Sequence, residues 1–272
     1  MHIFLGESDI VVYSIMGLIA VHVAFLYGLT QLGAKKKKAT SYYAQSLAHQ
    51  YSKGNNKIYN IIIYSWNFIE VITMIYISYV CVGLFNWGLG QVLHTGGNYF
   101  GLIFAIMLIW PVISFLFGTN PLKQLDILTP ALAAFLFCIK FACFCAGCCH
   151  GIPWEHGLFN HKFNEYQVPV QLIEMFWALM IFIVLIAIRN KVKDGTIFPL
   201  YILLYSATRF FSEFLRADPN VFGIFKTYHI LCLIGIMFGV LLYVFIGTYR
   251  AQINGFFDRK QEEINEKYGI SE

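Results

Sequence analysis

The chain has 272 residues, of which 58% are hydrophobic and only 12% charged, with a formal net charge of +4. Soluble globular domains carry about 25% charged residues, so this composition excludes an ordinary soluble enzyme and indicates a helical bundle in lipid, where apolar surface faces outward as well as inward. The small positive excess is scattered among loops and gives no basis for nucleic-acid binding.

A helix that crosses the hydrocarbon core needs about 20 apolar residues, and seven stretches meet that length. The first, Ile10–Leu32, is too long for the core of a cleaved signal peptide and lacks a small-residue cleavage site. It ends in Lys35-Lys36-Lys37-Lys38, so it reads as a transmembrane helix followed by a stop-transfer run. The others are Ile58–Leu84, Tyr99–Phe117, Ile127–Cys149, Val168–Ile188, Thr196–Leu215 and Tyr228–Tyr249. The expected fold is an all-α membrane protein of seven transmembrane helices. Residues 1–249 form the membrane domain and 250–272 a cytoplasmic tail.

Orientation follows from Lys and Arg. The loops after the first, third and fifth stretches, together with the tail, hold 14 of the 19 basic residues. Cytoplasmic loops carry that excess, which places the N-terminus outside and the C-terminus in the cytoplasm. The remaining five are Lys140, Lys162, Arg209, Arg216 and Lys226. Lys140 and Arg209 fall inside predicted helices, where a charge costs about 2.5–3.5 kcal/mol on insertion scales and is retained for a partner or a polar cavity.

Three segments carry candidate chemistry. In the sixth stretch Tyr205, Arg209, Glu213 and Arg216 share one helical face. Arg suits a planar, two-pronged hold on phosphate, and Glu213 can fix one guanidinium; the plainer alternative is an ion pair that locks helix packing. At the end of the fourth stretch, Cys143, Cys145, Cys148 and Cys149 fall within seven positions, followed by His150. Their spacing is not a zinc pattern with a second Cys pair elsewhere, so they are expected to pack as small residues, without a metal; a strained vicinal disulfide is a further possibility. Gln171 and Glu174 stand one turn apart at the start of the fifth stretch.

At these residues the sequence resembles the bacterial prolipoprotein diacylglyceryl transferases. Arg209-Phe210-Phe211-Ser212-Glu213-Phe214-Leu215-Arg216 is similar to the family's Arg-Phe-x-x-Glu-Phe-x-Arg, and Pro169-Val170-Gln171-Leu172-Ile173-Glu174 to its Pro-Ser-Gln-Leu-Tyr-Glu. Leu125-Asp126 with Pro130-Ala131 resembles the family's Leu-Asp-x-x-x-Pro-Ala. Cys143-Phe144-Cys145-Ala146-Gly147-Cys148-Cys149-His150-Gly151 resembles a Cys-rich variant of the family signature, and Tyr13-Ser14-Ile15-Met16 its first-helix Tyr-Gly-Leu-Met.

The resemblance implies transfer of the diacylglyceryl group of phosphatidylglycerol to the thiol of a prolipoprotein cysteine, with glycerol phosphate leaving. The reaction is expected at the outer face of the bacterial cytoplasmic (inner) membrane, without a cofactor, the acceptor being presented by the prolipoprotein signal peptide. Arg209, Glu213, Tyr99, Tyr13 and His94 are then the catalytic candidates, the last three as acceptors of the thiol proton. Lys140, Arg216, Cys143, Gly147, Gln171 and Glu174 are the substrate-binding candidates. Two positions depart from the family pattern: its signature Arg is Lys140 here, and its third-span His is Tyr99. Two other readings follow from these departures: a divergent transferase with another lipid or acceptor, and a non-catalytic lipid-binding protein on the same scaffold.

Overall fold

A computed structural model of the chain describes residues 19, 22, 41–52, 54–85 and 99–269. In chain order the elements are α1 (Tyr42–Ser52), α2 (Asn56–Phe85), α3 (Tyr99–Leu116), α4 (Pro121–Cys145), β1 (Pro153–Asn160), β2 (Glu165–Gln167), α5 (Val170–Ile188), α6 (Ile197–Phe214) and α7 (Thr227–Tyr268). The expected first span lies outside the described residues except for Ile19 and His22.

The protein is mostly helical, and four of its described helices are long and apolar enough to cross a membrane: Asn56–Ser78 of α2, and α4, α5 and α7. Ala105–Leu116 of α3 is a shorter apolar helix. Helix α6 is outside this group because its Arg, Glu, Ser and Tyr residues lower its mean hydropathy.

Four features differ from the sequence reading, the first being the two-stranded β1–β2 hairpin in a chain expected to be all-α. Helix α1 falls where a polar loop was expected. Ser41 caps it, its hydroxyl accepting the Ala44 N–H at 3.2 Å, and it buries Ala44, Gln45, Ala48 and Ser52, which share one face. Helix α4 stops at Cys145 rather than Cys149, because Gly147 takes φ +64°, the left-handed conformation that commonly ends a helix. Helix α7 continues to Tyr268, well past the expected end at Tyr249. Its charged extension stays helical by burying Phe257 and Ile264, two turns apart.

The contacts divide the chain into two compact units. One contains Leu128–Val192 and Thr196–Val244. Here α5 packs on α6, and the β1–β2 hairpin pairs Asn160 with Glu165. Helix α6 buries Phe198, Tyr201, Tyr205, Arg209, Ser212 and Glu213 on one face while Phe211 is 69% exposed. A helix with charges inward and phenylalanine outward suits lipid surroundings. The same holds for Leu233, Met237, Leu241 and Val244, which form an exposed apolar row on α7.

The other unit comprises the described parts of Gly28–Ile127, Lys193–Gly195 and Phe245–Glu272. Helix α2 packs on α1 and α3. Asn120 caps α4, its side-chain oxygen accepting Leu122 N–H at 3.0 Å, ahead of Pro121 at the first helical position. Asp126 accepts the Gly195 N–H at 2.7 Å, and Arg250 donates to the Asp194 carbonyl at 2.7 Å.

Candidate active site

The acid at the centre of the first unit is Glu174, in the second turn of α5. Its Oε2 lies 2.5 Å from Lys140 Nζ on α4 and 4.0 Å from Arg216 Nη1, and its Oε1 receives Arg209 Nη1 from α6. Arg209 turns its other nitrogen to Glu213 Oε2 at 2.8 Å, one turn along the same helix. Arg216 places Nε 3.7 Å from Glu213 Oε2 and 2.7 Å from Asp218 Oδ2. Glu174, Arg209, Glu213 and Arg216 are all buried. Four cations, Lys140, Arg209, Arg216 and Lys226, against three carboxylates, Glu174, Glu213 and Asp218, leave one net positive charge in and around the centre, which favours an anionic ligand.

Backbone geometry holds these side chains in place. The chain after α4 is clamped between the start of α5 and the end of α6: Gly151 N–H donates to Val168 O at 3.1 Å and Ile152 N–H to Leu215 O at 2.9 Å. A Cβ at Gly151 would stand 2.5 Å from Val168 O and 2.7 Å from Leu215 O, so only glycine permits this approach. Gln171 on α5 donates to the Cys148 carbonyl at 2.6 Å, and Arg216 Nη1 to the Cys149 carbonyl at 3.4 Å. Asn160 at the end of β1 donates to the Gly147 carbonyl at 3.2 Å and to Gln167 Oε1 at 2.9 Å. The hairpin thereby braces the turn that carries the cysteines.

A narrow cleft reaches this cluster. Lys140, Glu174, Arg209, Thr208 and Ser212 supply its polar lining, and Leu136, Trp177, Ala178 and Ile181 its apolar wall. Tyr205, the first member of the α6 stripe, also lines it.

The structure thus brings together Arg209, Glu213, Arg216, Lys140, Gln171 and Glu174, with Cys143 and Gly147 in the adjoining helix end and turn. Tyr99 opens α3, in the other unit. Tyr13 and His94 lie outside the described residues.

Three neighbours were not foreseen as part of the site. Lys226 is buried, and its ammonium caps the end of α6, donating to Glu213 O at 2.8 Å and Arg216 O at 2.5 Å. Tyr228 places its ring 4.9 Å from the Arg209 guanidinium carbon. His229 accepts the Lys226 N–H through Nδ1 at 3.0 Å and packs among Phe210, Phe214 and Phe225. The charge pattern held one signal for them, since Lys226 is among the five basic residues that the cytoplasmic loops do not account for.

A model of the family described as prolipoprotein diacylglyceryl transferase matches residues 1–245. A phosphatidylglycerol–prolipoprotein diacylglyceryl transferase of Clostridium tetani is 33% identical over 132 residues, 45% of this chain and 53% of the relative. One from Clostridioides difficile is 39% identical over 79 residues, 29% of this chain and 32% of the relative. One from Clostridium perfringens, whose name carries the suffix 2, is 30% identical over 134 residues, 46% of this chain and 52% of the relative. The matched segments span about half or less of these curated relatives.

Proposed function

The chain belongs to the prolipoprotein diacylglyceryl transferase family, and from that premise we propose that it moves the diacylglyceryl group of phosphatidylglycerol to the thiol of a prolipoprotein cysteine. The supporting observation is the two-faced cleft, with Lys140 and Arg209 on its polar side and Leu136, Trp177, Ala178 and Ile181 on its apolar side. A phospholipid has the same duality, an anionic phosphodiester beside acyl chains.

In this reading the phosphate sits among Lys140, Arg209 and Arg216. The thiol sulfur attacks the glyceryl carbon that carries the phosphate ester. The C–O bond breaks, and glycerol phosphate leaves with the electron pair. Arginine and lysine donors aimed at the phosphate stabilise the charge that grows on this leaving group. Glu174 and Glu213 hold the two guanidinium planes so that little reorganisation accompanies the reaction. Gln171, Cys143 and Gly147 shape the adjoining wall. Tyr13, Tyr99 and His94 are the candidates for taking the thiol proton.

The same reading sets the protein in the bacterial inner membrane with seven spans, the N-terminus outside and residues 250–272 in the cytoplasm. The site then opens toward the outer face, where a prolipoprotein signal peptide presents its cysteine. The test is a transfer assay on membranes that contain this protein in a host depleted of its own transferase. Phosphatidylglycerol and a cysteine-bearing lipoprotein peptide are supplied, and the product is read by mass spectrometry. The expected product is a peptide heavier by one diacylglyceryl group on sulfur. Recovery of unmodified peptide at matched expression would overturn the reading.

A further inference from the structure

The turn after α4 gathers three sulfur atoms, and no bond-making or bond-breaking step of the proposed transfer uses any of them. The Sγ atoms of Cys143, Cys148 and Cys149 all lie within 4.8 Å of one another. Cys143 is buried in the last turn of α4, and the other two are half-buried. Cys138 and Cys145, on the same helix, do not join the group.

The backbone is bent to achieve this. Gly147 at φ +64° ends the helix, and Cys149 at φ +57° turns the chain again. A side-chain-bearing residue in the left-handed region costs about 1–2 kcal/mol. The outcome is a fold-back in which Cys148 N–H donates to Cys143 O at 3.2 Å.

Zinc binds thiolate at about 2.3 Å in a tetrahedron, which sets sulfur atoms about 3.8 Å apart. The three sulfurs, all within 4.8 Å of one another, stand at most about 1 Å wider than that spacing. Three thiolates around a divalent ion carry one net negative charge. Lys140, one turn before Cys143, and Arg216, whose Nη1 lies 3.4 Å from the Cys149 carbonyl, offset it. Among the described residues no His, Asp or Glu atom joins the three sulfurs, so one tetrahedral position remains for an incoming ligand, the arrangement of a catalytic rather than a structural site.

We propose that Cys143, Cys148 and Cys149 bind one zinc ion whose fourth position takes the acceptor cysteine of the prolipoprotein as a thiolate. This rests on the transferase reading. A metal-bound thiol is deprotonated at neutral pH, so the metal supplies the nucleophile and the basic side chain need only carry the proton away. The bound sulfur donates its electron pair to the glyceryl carbon, and the C–O bond to phosphate breaks. Glycerol phosphate departs with that pair toward Arg209 and Arg216. The product is a neutral thioether, a weaker ligand than thiolate, and it leaves the ion for the next thiol. No electron changes hands, which favours redox-inert zinc over copper or iron among the metals that soft thiolates select.

The test starts with metal analysis of the full-length protein purified in detergent. Parent and Cys145→Ser should hold about one zinc per chain. Cys143→Ser, Cys148→Ser and Cys149→Ser should each lose it while eluting as folded protein. Because a variant could fail to fold, the parent is also stripped with a chelator and reloaded with cobalt(II). Its visible bands should shift when a cysteine-bearing lipoprotein peptide is added and stay unchanged with the matching serine peptide. A parent that takes up no zinc, a disulfide within the three cysteines, or a cobalt spectrum indifferent to the cysteine peptide would overturn the proposal. Transfer that proceeds fully in zinc-free protein overturns the zinc role and leaves the transferase standing. Zinc and a cobalt response without any transfer upholds the thiol site and removes the transferase reading.

Discussion

Glu174 Oε2 lies 2.5 Å from Lys140 Nζ, and the other oxygen of the same carboxylate receives Arg209, so one buried acid on α5 ties α4 to α6. Lys140 stands where the signature motif that this segment resembles has an arginine. A lysine at that point can meet Glu174 with a single contact and leave the flat side of the carboxylate to Arg209. In the proposed reaction, a two-pronged grip on phosphate then falls to the α6 arginines.

Glu174→Gln keeps the shape of the side chain and removes its charge. Lys140 then loses its carboxylate partner and Arg209 keeps only Glu213, and breaking a buried ion pair from one side costs on the order of 3–5 kcal/mol. The melting temperature in detergent should fall well below that of the parent. Adding Lys140→Met should restore part of the loss, since it removes the cation left without its acid. Equal melting temperatures for parent and Glu174→Gln would show that the carboxylate is not the hub.

Arg209→Lys preserves the charge but not the planar fork that bridges Glu174 and Glu213 and that, in the proposed reaction, holds a phosphate oxygen. Loss of one preorganised transition-state contact costs about 2.7–4 kcal/mol, on the order of a hundredfold or more in rate. Transfer rates at matched protein levels should drop accordingly, with Glu213→Gln showing a smaller drop. Parental turnover by Arg209→Lys would reassign Arg209 to packing.

Gly147→Ala meets two obstacles, φ +64° and a Cβ only 3.2 Å from Asn160 Oδ1. A destabilisation of about 1–2 kcal/mol is expected from the backbone alone. Gly255→Ala, in the extension of α7 with nothing within 4 Å of its Cβ, should be neutral or raise stability by about 0.4–1 kcal/mol. Thermal unfolding of the two variants side by side checks the contrast, and a neutral Gly147→Ala would refute the helix-ending role.

The seven-span arrangement predicts that a reporter fused after Arg250 faces the cytoplasm. A single cysteine introduced at Lys162, in a background without the exposed native thiols, should react with a membrane-impermeant reagent from outside. If both sites respond from the same side, the orientation is wrong.

Much of the helical framework was legible from the sequence, because lipid imposes one strong local rule: backbone polar groups must bond within their own segment, beneath apolar side chains. Helices α2, α3, α5 and α6 therefore start and stop within a few residues of the apolar stretches that announce them. The α6 stripe was equally legible, since Tyr205, Arg209, Glu213 and Arg216 share a face through helical period alone. Helix α1 and the extension of α7 were not, because their buried residues are few and set among polar ones, which a hydropathy reading averages away. The hub role of Glu174, the capping by Lys226 and the meeting of three thiols were decided only in the tertiary structure. Lys140, Glu174 and Arg209 are separated by 34 and 35 positions, and no periodicity relates them. The cysteines stand close in sequence, but they converge because Gly147 and Cys149 turn the chain back while Gln171, Asn160 and Arg216 hold it from other elements.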